Sequence, residues 1–212
     1  MIMQSEKNVV SLILERKALK NKVFHNTLGA FEILKRELKL VIQQISPEVN
    51  AKFPEMEFSF KEKGEYEIEL RVGEDILLFI LHTDVYTFHR NHPIKSLLYV
   101  QNDPENAFCG MISVYNFLSD SIELNRLNDL GYLITRIFVN KNSNYFSEGK
   151  RKLGFLYNDY PAQTVNEDNF KILINTIIAF CVQFDMFAPP YEENSVISLG
   201  DIQESTIINP LS

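Results

Sequence analysis

Glycine is scarce, at eight in 212 residues, and that scarcity removes several function classes at once. No stretch forms a phosphate-cradling P-loop or a dinucleotide-binding turn, both of which need residues without a Cβ where backbone meets phosphate. There is also no Gly-x-Ser-x-Gly elbow to present a nucleophilic serine. Cysteine is rarer still. Cys109 and Cys181 are the only two, and neither has a basic neighbour in sequence to favour a thiolate. Both lie in apolar surroundings and read as buried free thiols in a reducing compartment, which places the protein in the cytoplasm.

Long apolar runs are lacking too. The longest, residues 170–188, carries Lys171, Asn175, Gln183 and Asp185, which is too polar for an ordinary membrane span. The opening MIMQSEKNVVSLILERK sets Glu6 and Lys7 before a short apolar run that soon meets Glu15, unlike a secretion signal. There is no basic surplus. With a net charge of -7, the overall field does not favour nucleic acid or an acidic membrane, although a local patch stays open as a binding surface.

What remains is ordinary globular material, 45% hydrophobic and 23% charged, enough for one substantial core. Residues 5–46 read as helical. Phe31, Leu34, Leu38, Val41 and Ile45 recur on one face at spacings of three and four. A cap at Asn26 or Thr27 would divide the segment, so one helix or two stays open, and Ser46-Pro47 marks its end. From Met56 the period becomes two. Glu65 to Val72 alternates strictly between polar and apolar, Gly73-Glu74-Asp75 turns the chain, and Ile76 to Leu81 is apolar throughout. These segments predict a meander whose short connections exclude parallel crossovers.

Leu97–Val100 reads as a short strand, Cys109–Leu118 as a longer one, and 119–129 as a polar segment with a helical turn. A helix over 167–187 follows, capped at Asn166 and stopped by Pro189-Pro190. The expected fold is a single α+β domain over 1–190: an antiparallel sheet of five to seven strands against amino-terminal and carboxy-terminal helices. Residues 191–212 are expected to form a partly ordered tail.

The stretch 130–155 draws the most interest because it holds most of the local basic charge. A three-residue loop at Lys141-Asn142-Ser143 would set Phe138 opposite Phe146 and Arg136 opposite Glu148. Alternation would then place Tyr132, Ile134, Arg136 and Phe138 on one face with Phe146, Glu148 and Lys150. An arginine in such an apolar row needs a partner, and Glu148 is in position to supply it.

Three candidate sites follow. Asp129 with Glu148 and Lys150 is similar to the PD-(D/E)xK nuclease pattern, in which two carboxylates hold a divalent ion and a lysine assists water. Acid-x-Lys also occurs at Glu15–Lys17 and Glu37–Lys39, so a structural Arg136–Glu148 pair is the preferred reading. Arg136, Tyr145, Lys150, Arg151 and Lys152 form a basic and aromatic binding patch suited to phosphates and a stacked base. His82, His89 and His92 gather near Asp84, but their spacing matches no compact zinc motif, so no metal site and no cofactor are assigned.

Two segments, Cys109–Leu118 and Asp129–Tyr132 running on to Glu148–Arg151, resemble a family of uncharacterised bacterial proteins of similar length. The resemblance covers about the middle third of the chain. It implies no activity and transfers no catalytic residue. The expected function is a non-enzymatic binding or interaction module. Its partner would be another protein or a second copy, since the apolar face of the leading helices exceeds what one sheet covers. The alternative is a metal-dependent phosphodiesterase using Asp129, Glu148 and Lys150.

Overall fold

The alternation of Glu67–Val72 sorts its side chains between two layers. Ile68, Leu70 and Val72 are buried in the principal core, while Glu67, Glu69 and Arg71 turn to the opposite face. In the computed structural model, described over residues 2–155 and 158–183 with side chains from residue 7, the same logic extends through six strands. These are β1 (Phe58–Glu62), β2 (Glu67–Val72), β3 (Asp75–Leu81), β4 (Cys109–Leu118), β5 (Tyr132–Asn140) and β6 (Tyr145–Gly149). They pair in sequence order, every neighbour antiparallel. The fold is α+β, as the periodicities predict.

Two helices cover one face of the sheet: α1 (Ile2–Asn50) and, at the other end of the chain, α4 (Glu167–Val182). Phe31, Leu34 and Leu38 of α1 and Phe170, Ile174 and Ile177 of α4 are wholly buried against the apolar side chains of β2 to β5. Asn166 caps α4, its side chain accepting the Asn169 amide at 2.8 Å. Residues 184–187 of the expected helix and the 191–212 tail lie outside the described residues. Among the described residues no helix is long and apolar enough to cross a membrane.

The leading segment is one helix, not two. Thr27 is wholly buried, and its hydroxyl donates to the Val23 carbonyl at 2.8 Å, which satisfies it in mid-helix and leaves no cap to form. Asn26 reaches across to donate to the Asn140 carbonyl at 3.1 Å. The helix also passes Ser46-Pro47 to end at Asn50. A proline there removes one hydrogen bond, to the Gln43 carbonyl a turn earlier, and the turn beyond it is held by the Ala51 amide donating to the Pro47 carbonyl at 3.1 Å.

The excursion between β3 and β4 departs from the sequence reading. Leu97–Val100 is no strand. Instead α2 (Leu98–Asn102) sits between two 3-10 turns, Pro93–Ser96 and Pro104–Ala107. Each turn places proline at its start and a capping side chain before it. His92 Nδ1 accepts the Ile94 amide at 3.2 Å, and an Asp103 oxygen accepts the Glu105 amide at 3.1 Å. The helical turn expected in 119–129 is α3 (Ser119–Glu123). The excursion lays Ile94, Val100 and Ala107 on Phe138 and Phe146, a second core on the face away from the helices.

The hairpin has the predicted register: Phe138 pairs with Phe146 and Arg136 with Glu148. The residue that takes left-handed angles is Ser143 (φ 58°), not an asparagine. One expectation fails here. Pairing steps from Val114–Thr135 to Tyr115–Leu133, so a bulge intervenes at Ile134. The extra residue shifts the alternation. Ile134 joins the helix-side core, and Tyr132, opposite Asn116, also leaves the Arg136 face.

Candidate functional site

Glu148 stands at the centre of a three-residue clasp. Its position opposite Arg136 on β6 brings Oε2 to 2.6 Å from the guanidinium, and Oε1 lies 2.5 Å from His92 Nε2. The His92 ring nitrogens have divided roles. Nδ1 accepts the Ile94 amide, so in the neutral ring Nε2 carries the proton and donates it to Glu148. With both nitrogens committed, His92 has no lone pair to offer a metal or a substrate. Phe88 lies against its ring at 4.6 Å between centroids, and Phe155 meets it edge-on at 5.7 Å. The clasp ties the excursion to the last strand of the sheet.

His92 is therefore no idle surface residue, and the three histidines do not gather. His82 bonds Ser113 Oγ at 3.0 Å, and burial holds its pKa below the ordinary imidazole range despite the charge of Asp84. His89 accepts the Asn91 amide at 3.4 Å in its own turn. Among the described residues no group of three or more His, Cys, Asp or Glu side chains is arranged to hold a metal ion.

Asp129 and Glu148 occupy different networks. Asp129 accepts the Ser121 hydroxyl at 2.7 Å and lines a cleft where β3 begins and β4 ends. Neither Glu148 nor Lys150 lines that cleft. Lys150 is exposed and precedes the short 3-10 turn Arg151–Leu153.

The basic patch is also divided. Tyr145 is 1% exposed, edge-on to Phe170 with ring centroids 5.1 Å apart, so it is a core residue and cannot stack on a base. Its strand is covered on both faces, since Phe146 is buried on the other side. Arg136 is held by Glu148. Arg151 takes left-handed angles (φ 53°) and sets its guanidinium 5.8 Å from the Phe180 ring centroid. Lys152 and Arg151 line one groove along α4, which Arg136, Tyr145 and Lys150 do not line.

Both cysteines are buried and free. Burial pushes the Cys181 thiol up to about 12 and raises Cys109 as well, so neither is poised as a nucleophile.

The feature foreshadowed by the apolar excess of the first helix is on α1. Residues 7–18 are exposed along the entire stretch, and Val9, Val10, Leu12, Ile13 and Leu14 are each more than half exposed. Contact with the body of the protein begins near Arg16, whose guanidinium lies 4.9 Å from the Phe108 ring centroid, and Leu19, the first buried side chain. At 1.5 Å per residue the free-standing part is about 18 Å long.

Replacing Glu148 with alanine is expected to lower stability by roughly 1–3 kcal/mol, because it leaves the His92 N–H and the Arg136 charge unmatched in a partly buried site. Glu148→Gln, which keeps an acceptor for His92, should cost less. Urea unfolding of the three proteins checks this. Wild-type stability for Glu148→Ala would refute the clasp.

Comparisons with family models, curated proteins and solved structures return no match for the chain.

Proposed function

We propose that the protein is a non-enzymatic interaction module that pairs with a second copy through the free-standing turns of α1. The observation behind this reading is the row of aliphatic side chains from Val9 to Leu14, exposed on a helix that none of the described residues covers over residues 7–18. Burying such a side chain is worth about 1.5–3 kcal/mol. A monomer that leaves this many of them in water forgoes a large favourable term and carries an aggregation liability.

A second copy supplies a matching surface by symmetry. Val9 and Ile13 continue, at spacings of three and four, the buried line of Val23, Phe31, Leu34 and Leu38, the last three of which pack on the sheet. Their face is thus an extension of the core face beyond the edge of the sheet. Antiparallel pairing about a twofold axis at the level of Ser11 would bring Val9 of one copy against Ile13 of the other, and the same contact would recur reciprocally. It also keeps Arg16, Lys17 and Lys20 of the two copies apart, whereas parallel pairing would stack them.

The rival reading as a phosphodiesterase depends on Asp129 and Glu148 converging, and their separate partners give it nothing to build on. A nucleic-acid surface loses its stacking ring with Tyr145 in the core.

Light scattering after size exclusion tests the proposal. Wild-type protein is expected at twice 24.6 kDa, and a Val9→Glu/Ile13→Glu variant at the single-chain mass. Both positions are exposed, so the variant should keep its fold by circular dichroism. A wild-type monomer at tens of micromolar, or a variant that remains a dimer, would sink the proposal.

A further inference from the structure

A cleft of about 550 Å³, where β3 begins and β4 ends, holds an excess of hydrogen-bond acceptors. Asn116 lies in its wall, 5% exposed. Its Nδ2 donates to Asp75 Oδ1 at 2.8 Å, while its own Oδ1 is buried with no hydrogen-bond partner among the described residues. Turning the amide over would not help, because an ionised carboxylate only accepts. A buried acceptor left unmet costs about 1–3 kcal/mol, and protein structures rarely tolerate one without a reason.

Asp75 adds a second anomaly. It is half-buried, and burial raises its carboxyl above the ordinary range against the Asn116 hydrogen bond. The charge that acts on it is Glu74, another acid, and among the described residues no cation offsets it. Asp129, fixed by Ser121, contributes a third carboxylate to the lining. Leu118 and Tyr132 add exposed apolar surface at the rim, 40% and 45% accessible. No metal-ligating group of three or more His, Cys, Asp or Glu gathers among the described residues. The unmet Asn116 oxygen and the carboxylates beside it suit a ligand rich in hydrogen-bond donors.

We propose that this cleft binds an organic cation, an ammonium or guanidinium carried on an apolar stem. Its N–H groups meet the Asp75 carboxylate and the Asn116 carbonyl oxygen, and its stem lies along Leu118 and Tyr132. A free small amine and the basic side chain of a partner peptide present the same chemistry. The site does not depend on self-association through α1.

Isothermal titration of the full chain with two guanidinium probes tests it: agmatine, and an acetylated and amidated Ala-Arg-Ala tripeptide. The same tripeptide with citrulline in place of arginine, a neutral isostere, is the control. Saturable binding of a guanidinium probe without binding of the citrulline peptide is expected, weakened by about tenfold or more in Asp75→Asn. Tighter binding of agmatine would identify a free amine as the ligand, and tighter binding of the arginine peptide a partner side chain. Should Asp75→Asn fail to fold, the exposed Asp129→Asn decides, with a weaker but measurable loss expected. Absence of saturable binding by both guanidinium probes, equal binding of the citrulline peptide, or affinity unchanged in whichever variant folds would overturn the proposal.

Discussion

Asn140→Ala is expected to be among the most damaging single substitutions in the protein, at about 3–5 kcal/mol. Asn140 is wholly buried, and all four of its side-chain hydrogen-bonding positions are filled. Oδ1 accepts the amides of Asn142 at 2.9 Å and Asn144 at 3.0 Å, which shapes the hairpin loop from inside. Nδ2 donates to the hydroxyls of Tyr99 at 3.0 Å and Tyr160 at 2.6 Å. Those hydroxyls are themselves engaged. Tyr160 donates to the Asn106 carbonyl at 2.6 Å, and Tyr99 donates to Asn144 Oδ1 at 2.9 Å. Removing Asn140 therefore strands two backbone amides and loosens both tyrosines, in a region where little water can replace the lost partner.

Tyr160→Phe provides the comparison. It deletes one hydroxyl, leaves Asn140 three of its four bonds, and should cost about 1–2 kcal/mol. In combination the two changes should cost less than their sum, because they remove members of one network. Thermal melting reads both, since a loss of 3–5 kcal/mol in a chain of this size lowers Tm by roughly 6–20 °C. Additive effects, or an Asn140→Ala protein that melts with the wild type, would show that the network contributes no cooperative stability.

Asn140 also marks where sequence reasoning stops. Asn140, Asn142 and Asn144 read as turn formers, and the three-residue loop with its Arg136–Glu148 pairing follows from that reading. Their side chains also reach Tyr99 and Asn106, partners from an excursion whose landing place no local pattern specifies. His92 is the same case. The motif around it signals a capped turn, but 56 positions separate it from Glu148, and only tertiary packing selects that partner. Local signals served where a period persists over a whole element, as in Glu67–Val72 and in the Phe31–Ile45 face of α1. They failed where one residue resets the period, as the bulge at Ile134 does. Tyr145 was assignable in principle. Adjacent strand positions face opposite ways, so Tyr145 and Phe146 could not share a surface, and two neighbouring aromatics on a short strand signal cover on both faces.

Gly110→Ala is the second large effect expected, and it bears on how the free turns of α1 are held out from the body. A Cβ built on Gly110 would lie 2.2 Å from Thr27 Oγ1, 2.8 Å from Thr27 Cβ and 2.9 Å from Thr27 Cγ2. Contacts this short cannot be absorbed by a rotamer change, since one is with the Thr27 Cβ itself, which no side-chain rotation moves, and the other two atoms are bonded to it. The hydroxyl is in any case tied to the Val23 carbonyl. Helix α1 crosses β4 here because one side of the contact has no side chain. An added methyl must push the helix from the sheet and open contacts along its buried face, at about 1–3 kcal/mol or somewhat more. Gly110→Val should exceed that. Truncating the opposing residue separates crowding from other causes. Thr27→Gly alone loses about 0.3 kcal/mol of helix propensity plus its packing, yet added to Gly110→Ala it should restore part of the lost stability by returning the space. Chemical denaturation of the single and double variants reads the sign directly, and a double variant less stable than Gly110→Ala alone would refute the close approach. Because Thr27 lies about three turns after Arg16, where the free segment ends, the same lever links fold to function. Gly110→Ala protein that remains folded should also self-associate more weakly, with Val9 and Ile13 carried on a helix no longer fixed at its root.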